Sequence, residues 1–108
     1  MTTVLTRTVL ARENERFRRS GGRSQENRSL GFRPAFMDLH SRVVYASRFA
    51  DGRPAPFHVI DGLPDELVLA RCASGRVLAV KASVVSGFVR DGQFFSREEA
   101  ANMVARAA

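Results

Sequence analysis

Ser86-Gly87-Phe88-Val89-Arg90-Asp91-Gly92-Gln93-Phe94-Phe95-Ser96-Arg97-Glu98-Glu99-Ala100, running on to Ala108, carries two local signals in immediate succession. Asp91-Gly92 sits between two apolar runs, Phe88-Val89 and Phe94-Phe95. An Asp-Gly pair there predicts a β-hairpin, because both central residues of a type I′ turn need positive φ. Ser96 and Glu99 then have the spacing of a capping box, in which each side chain bonds the other residue's backbone amide. Phe95 before the cap and Ala100 after it can form a weak hydrophobic staple. Ala100, Met103, Val104 and Ala107 follow at helical spacing, so one face of the helix is apolar. A hairpin running into a capped, amphipathic helix from Arg97 to about Ala107 is a packing device, not a catalytic signature.

Upstream, Leu67-Val68-Leu69-Ala70 and Val77-Leu78-Ala79-Val80 flank Cys72-Ala73-Ser74-Gly75-Arg76 and predict a second hairpin. A third is expected between Gly31 and Phe49. Its strands are Ala35 to Asp38 and Arg42 to Ser47, with Pro34 suited to the start of an edge strand. Asp51 to Pro56 reads as a turn followed by a stiff extended stretch. Phe57 to Ile60 reads as a short strand, and Pro64-Asp65-Glu66 as one helical turn. Ser83 to Gly87 can continue a strand or form a turn of helix capped by Ser83 and stopped by Gly87; the helical turn is preferred. The sum is an α+β domain over residues 31–108: a small, mostly antiparallel sheet of hairpins with the C-terminal helix packed on it.

Residues 1–30 read differently. Thr6 to Arg19 has helical charge pairs, Glu13 with Arg16 and Glu15 with Arg18. Its apolar residues make no continuous stripe, and a helix of that length is marginal without packing. Ser20 to Ser29 contains no apolar residue and two adjacent glycines. A flexible basic arm is the expectation, with a boundary near Leu30. Residues 1–31 hold seven Arg and three Glu, so most of the net charge of +6 lies there. If nucleic acid is the ligand, Arg12, Arg16, Arg18, Arg19 and Arg23 are the expected phosphate contacts. The 16-to-1 excess of Arg over Lys fits phosphate binding, but GC-rich coding is the preferred explanation.

The composition, 44% hydrophobic and 26% charged, is that of an ordinary globular domain. There is no apolar run long enough for a transmembrane helix and no signal-peptide core. With one cysteine, no intramolecular disulfide can form, and a cytoplasmic setting is expected.

Chemistry is sparse. Asp38-Leu39-His40 and His58-Val59-Ile60-Asp61 each pair a His with a carboxylate, but nothing in the spacing makes them converge on a metal. Cys72, on or beside a strand, reads as a small hydrophobe. Asp51, Asp61 and Asp91 all precede Gly and suit turns; Glu99 belongs to the capping box. No phosphate-binding loop, dinucleotide fingerprint, nucleophile elbow or zinc-protease helix occurs. The expectation is no enzyme, no metal and no cofactor. Arg and Phe interleave at Phe32-Arg33, Arg48-Phe49 and Phe88-Val89-Arg90, a combination used by single-strand binders, yet no RRM or helix-turn-helix pattern accompanies it.

Asp51 to Pro64 together with Gly87 to Ala100 resembles small uncharacterised proteins of Gram-negative bacteria, and the second part resembles a strand–turn–capped-helix ending of phage and mobile-element proteins. The resemblance implies a bacterial cytoplasmic setting and no site residue. A noncatalytic protein-binding or regulatory module is therefore the first functional expectation, and nucleic-acid binding by the arm is the alternative. The roughly 75 residues from Leu30 onward are near the lower size limit for a single core, which also invites pairing of two copies.

Overall fold

The computed structural model describes residues 4–107; Met1 to Thr3 and Ala108, the tips of the expected arm and helix, lie outside the described residues. The architecture is α+β, with two antiparallel sheets and a C-terminal helix packed on the second. In chain order the elements are β1 (Leu5–Thr6), α1 (Arg7–Arg16), α2 (Ser24–Asn27), β2 (Arg33–Asp38), β3 (Val44–Ala46), β4 (Val68–Arg71), β5 (Val77–Val80), β6 (Val84–Arg90), β7 (Gln93–Ser96) and α3 (Arg97–Ala107). The first sheet has the order β1-β5-β4 and the second β3-β2-β6-β7.

The C-terminal stretch forms as its sequence dictates. Asp91 and Gly92 both take positive φ, 53° and 77°, and the turn sets β6 against β7 in the register Phe88 to Phe95 and Arg90 to Gln93. The amide of Glu99 donates to Ser96 Oγ at 3.1 Å and that of Ser96 to Glu99 Oε1 at 2.8 Å, which closes the capping box. Ala100 is fully buried with Phe32 and Phe88, and Phe95 and Met103 pack against them. The rings of Phe88 and Phe95 both meet Phe32 edge-on, with centroids 6.1 and 5.8 Å away.

The flexible arm expected before Leu30 is corrected from Val4 onward. Leu5 pairs with Val80 and Thr6 with Ala79, so β1 is part of the first sheet. The Thr6 hydroxyl accepts from Val9 N at 3.0 Å and caps α1. Leu5 and Leu10 lie in the main core with Phe36, Ile60, Leu63, Leu67, Val77, Val80 and Val84. The physical reason is tertiary: packing one apolar edge of α1 supplies the stability that helix propensity lacks. Gly21 and Gly22 are not linker residues. A side chain on Gly21 would strike Val104, and one on Gly22 would strike the Phe17 ring, so α3 and Phe17 lie directly on the backbone there. The domain therefore has no boundary at Leu30.

Three further expectations change. Ser83 to Gly87 is not a helical turn, because six residues of β6 pair with β2, from Val84 opposite Asp38 to Val89 opposite Arg33. Gly87 serves close approach rather than helix termination; a Cβ there would collide with the Phe95 carbonyl and the Phe94 ring. Phe57 to Ile60 is not a strand. The Ser47 hydroxyl donates to Phe57 O at 2.8 Å and accepts from Val59 N at 2.9 Å, so a side chain replaces a ladder partner. Pro34 lies in β2, a central strand, rather than at an edge. Its missing N–H costs nothing, because the Ser47 carbonyl beside it accepts from Ala55 N instead, at 3.0 Å.

Candidate functional site

β7 covers only part of β6. It pairs from Gly87 to Arg90 and then turns away into α3, so Val84 to Ser86 have no strand on that side. Side chains fill the opening. Arg97, the first residue of α3, is 2% exposed. Its Nε donates to Ser86 Oγ at 3.0 Å, its Nη1 to Gly22 O at 3.1 Å, and its Nη2 to Asn14 Oδ1 at 2.7 Å and His58 Nδ1 at 3.1 Å. The Ser86 hydroxyl donates in turn to Glu13 Oε2 at 2.5 Å, and that carboxylate lies 3.6 Å from Arg97 Nε. Four of the five guanidinium N–H groups are thus used. One buried cation ties α1, the Gly22 segment, β6 and the His58 loop together.

The electrostatics follow from burial. Desolvation, with help from the Arg97 charge, lowers the His58 pKa to about 3, so the ring is neutral. With Nδ1 accepting from Arg97, the proton is on Nε2, which donates to Gly87 O at 2.7 Å. Burial also lowers Arg97 to about 10, against the pull of Glu13, and it stays charged at neutral pH. His58 has no uncommitted nitrogen with which to carry a proton, and the Ser86 oxygen already accepts from a cation. A general base needs a free lone pair within reach of a substrate proton. This network is built to hold the fold.

Over it opens a groove of about 630 Å³. Met37, Val85 and Phe94 line it on the sheet side. The register Met37 to Val85 and Val89 to Phe94 puts these on the face of the second sheet opposite Phe36 and Phe88. Val44, paired with Met37, continues that face and is 39% exposed. Leu39 and Arg42 close one end of the groove, and Arg16, Glu98 and Glu99 lie towards the helices.

The arginines expected to meet phosphate are spread along the surface rather than gathered. Arg12 and Arg16 are exposed, one turn apart on α1. Arg16 lies 3.7 Å from Glu98 and over the Phe17 ring at 5.1 Å. Arg18 pairs with Glu15 at 3.2 Å. Arg19 has positive φ and is exposed, whereas Arg23 is half-buried. Only Arg16 lines the groove. His40 is exposed in the β2–β3 loop while His58 is buried, and the two do not converge. Among the described residues no group of three or more His, Cys, Asp or Glu is placed to hold a metal. Cys72 lies in the β4–β5 turn, half-exposed, with its sulfur 3.0 Å from Ser74 Oγ; that hydrogen bond, first among several, holds the thiol pKa below its ordinary value.

Sequence reasoning missed Arg97, Glu13, Asn14 and Ser86. One signal was present. Leu10, Glu13, Asn14 and Phe17 fall at i, i+3, i+4 and i+7, a helix face whose middle is polar. Comparison with protein-family models, with curated proteins and with solved structures finds no match to this chain. Among the described residues no helix is long and apolar enough to cross a membrane.

Proposed function

We propose that this chain is a noncatalytic protein-binding module that meets its partner through the groove and the adjoining outer face of the second sheet. One observation carries the reading. Met37, Val85 and Phe94, with Leu39 and Val44 beside them, form a continuous apolar strip with charges at its ends, while the polar groups beneath it are committed to one another. An apolar centre with a polar rim is the anatomy of a protein interface. A small-molecule enzyme site instead needs an uncommitted acid, base or nucleophile aimed into the cavity, and Ser86, His58 and Arg97 are not in that state.

Binding of nucleic acid through the arm draws on less. Arg16 and Arg18 each lie beside a carboxylate. The rings of Phe17, Phe32 and Phe49 are covered by Arg16, Arg90 and Arg53, which leaves less aromatic face for stacking bases. The test is site-specific photocrosslinking in cells that express the chain from its own gene. A probe at Met37 is expected to capture a protein, and one at Ala70, on the far sheet, is not. No protein adduct at Met37, or adducts to nucleic acid only, overturns the reading.

A further inference from the structure

We propose that the occupant of this groove is a second copy of the chain, seated in a two-fold symmetric dimer through the outer face of the second sheet. The inference rests on the protein-binding reading and names its partner. The groove is asymmetric in charge along its length. At the β2–β3 end stands Arg42; at the α3 end stand Glu98 and Glu99, with Arg16 beside Glu98. The apolar strip of Met37 and Val85 lies between them, and these two residues are directly paired across β2 and β6. A two-fold axis through that pair exchanges the ends. It sets Met37 and Val85 against the same residues of the other copy and brings each Arg42 to the other copy's Glu98. An isologous interface requires such self-complementarity, the same patch meeting itself with opposite charges exchanged.

Both charges are available for this. The Arg42 side chain has no hydrogen-bond or ion-pair partner among the described residues, and its backbone is held at a φ of 63° by a bond from its amide to Asp38 O of 2.7 Å. A non-glycine residue held in that region carries strain that the surrounding structure must support. Glu98 is 60% exposed at its side chain, and its contact with Arg16 is long, at 3.7 Å. Glu99, by contrast, is spent on the helix cap. The small core gives the association a reason, since two copies bury between them a strip in which Met37, Val85 and Phe94 are only half-buried and Leu39 and Val44 are exposed in one copy.

Sedimentation velocity of the full chain over a concentration series tests the proposal. The expected result is a monomer–dimer equilibrium that Met37→Lys abolishes. Arg42→Glu alone and Glu98→Arg alone each weaken dimerisation roughly tenfold or more, because two symmetry-related pairs are lost at once. Arg42→Glu combined with Glu98→Arg restores it. Both charge variants lie on the surface, and an unchanged urea transition confirms that each is folded. A chain monomeric throughout, or a dimer indifferent to Met37→Lys, or a charge swap that restores nothing, overturns the dimer. The photocrosslinking probe at Met37 separates the two failures. A monomer whose probe still captures a different protein sinks the second copy and leaves the protein-binding reading standing; a monomer that captures nothing sinks both.

Discussion

Residues 86–107 and residues 4–27 each contribute a helix to the fold, and they are stabilised in opposite ways. The C-terminal stretch is local. Its turn, cap and staple join residues within five positions of one another, from Asp91-Gly92 to Ser96-Glu99 and Phe95-Ala100. The N-terminal stretch is held from a distance. Leu5 pairs with Val80, Arg7 bonds Asp61 at 2.8 Å, and Asn14 accepts from Arg97 across 83 positions of sequence. The first segment is specified by what it contains; the second is specified by what it docks onto.

Deleting residues 1–22 is the most severe way to break this contrast. Leu5, Leu10 and Phe17 are all buried, and each contributes roughly 1.5–3 kcal/mol of apolar burial. Together they rival the whole net stability of a small domain. The deletion also leaves Arg97 without Asn14, Glu13 and Gly22. The expected outcome is loss of the cooperative urea transition followed by circular dichroism. A truncated chain that still unfolds cooperatively, near the full-length midpoint, means the N-terminal segment is an accessory after all.

The sharper cut is Arg97→Met, which keeps an unbranched apolar stem and removes the guanidinium with its charge. Taking away one member of a buried, hydrogen-bonded ionic network leaves the others unpaired and costs about 3–5 kcal/mol. Here the stranded groups are Glu13, Asn14, the Gly22 carbonyl and His58 Nδ1. Because Arg97 belongs to α3 but its partners belong largely to the N-terminal segment, hydrogen exchange should accelerate in residues 10–22 more than in α3 itself. Equal acceleration in both means the two regions unfold as one unit and the contrast fails.

These two regions also show what the sequence could and could not disclose. The hairpins, the capping box and the C-terminal helix were legible because turn chemistry and helix capping act within a few residues. Ser83 to Gly87 was misread because Gly87 looks like a helix stop, and only the ring of Phe94 and the carbonyl of Phe95 reveal that it is a space requirement. The α1 face was hidden because two of its four inward positions, Glu13 and Asn14, are polar, and their partner lies more than eighty residues away. Nothing around Arg97 sets it apart in the sequence, because its neighbours Ser96, Glu98 and Glu99 are all polar. The groove needed the end of β7, the β2–β3 loop and α1 in one place, and no local pattern encodes that meeting. Of the arginines expected to meet phosphate, Arg12, Arg16, Arg18 and Arg19 are on the surface and Arg23 is half-buried, all on a folded segment rather than a free arm.

A smaller effect probes the same network through pH. His58 titrates near 6.5 when unfolded and at about 3 in the folded protein. Between those values the unfolded chain binds a proton that the native one does not. Stability is therefore complete above pH 6.5 and falls as pH drops below it, by about 1.4 kcal/mol per unit while the native ring stays neutral. Urea midpoints at pH 7 and about pH 5.5, both above the ordinary carboxylate range, should show the loss, and His58→Gln should abolish most of the slope. A wild-type midpoint independent of pH across that window means the buried ring accepts a proton at little cost and is less locked by Arg97 than the geometry requires.

The smallest expected effect falls on the local side of the comparison. Ser96→Ala removes the oxygen that caps the amide of Glu99 and halves the capping box, at a cost of about 0.5–2 kcal/mol. Because Ser96 touches the N-terminal segment through no hydrogen bond among the described residues, the loss should stay in α3: faster exchange in its first turn, an unchanged rate in α1, and unaltered occupancy of the groove. Arg97 is the next residue along, so the two substitutions separate a local contribution from a long-range one within a single peptide unit. If Ser96→Ala loosens α1 as much as Arg97→Met does, then the cap is what aims Arg97 into its network, and the long-range clamp depends on the most local feature of the chain.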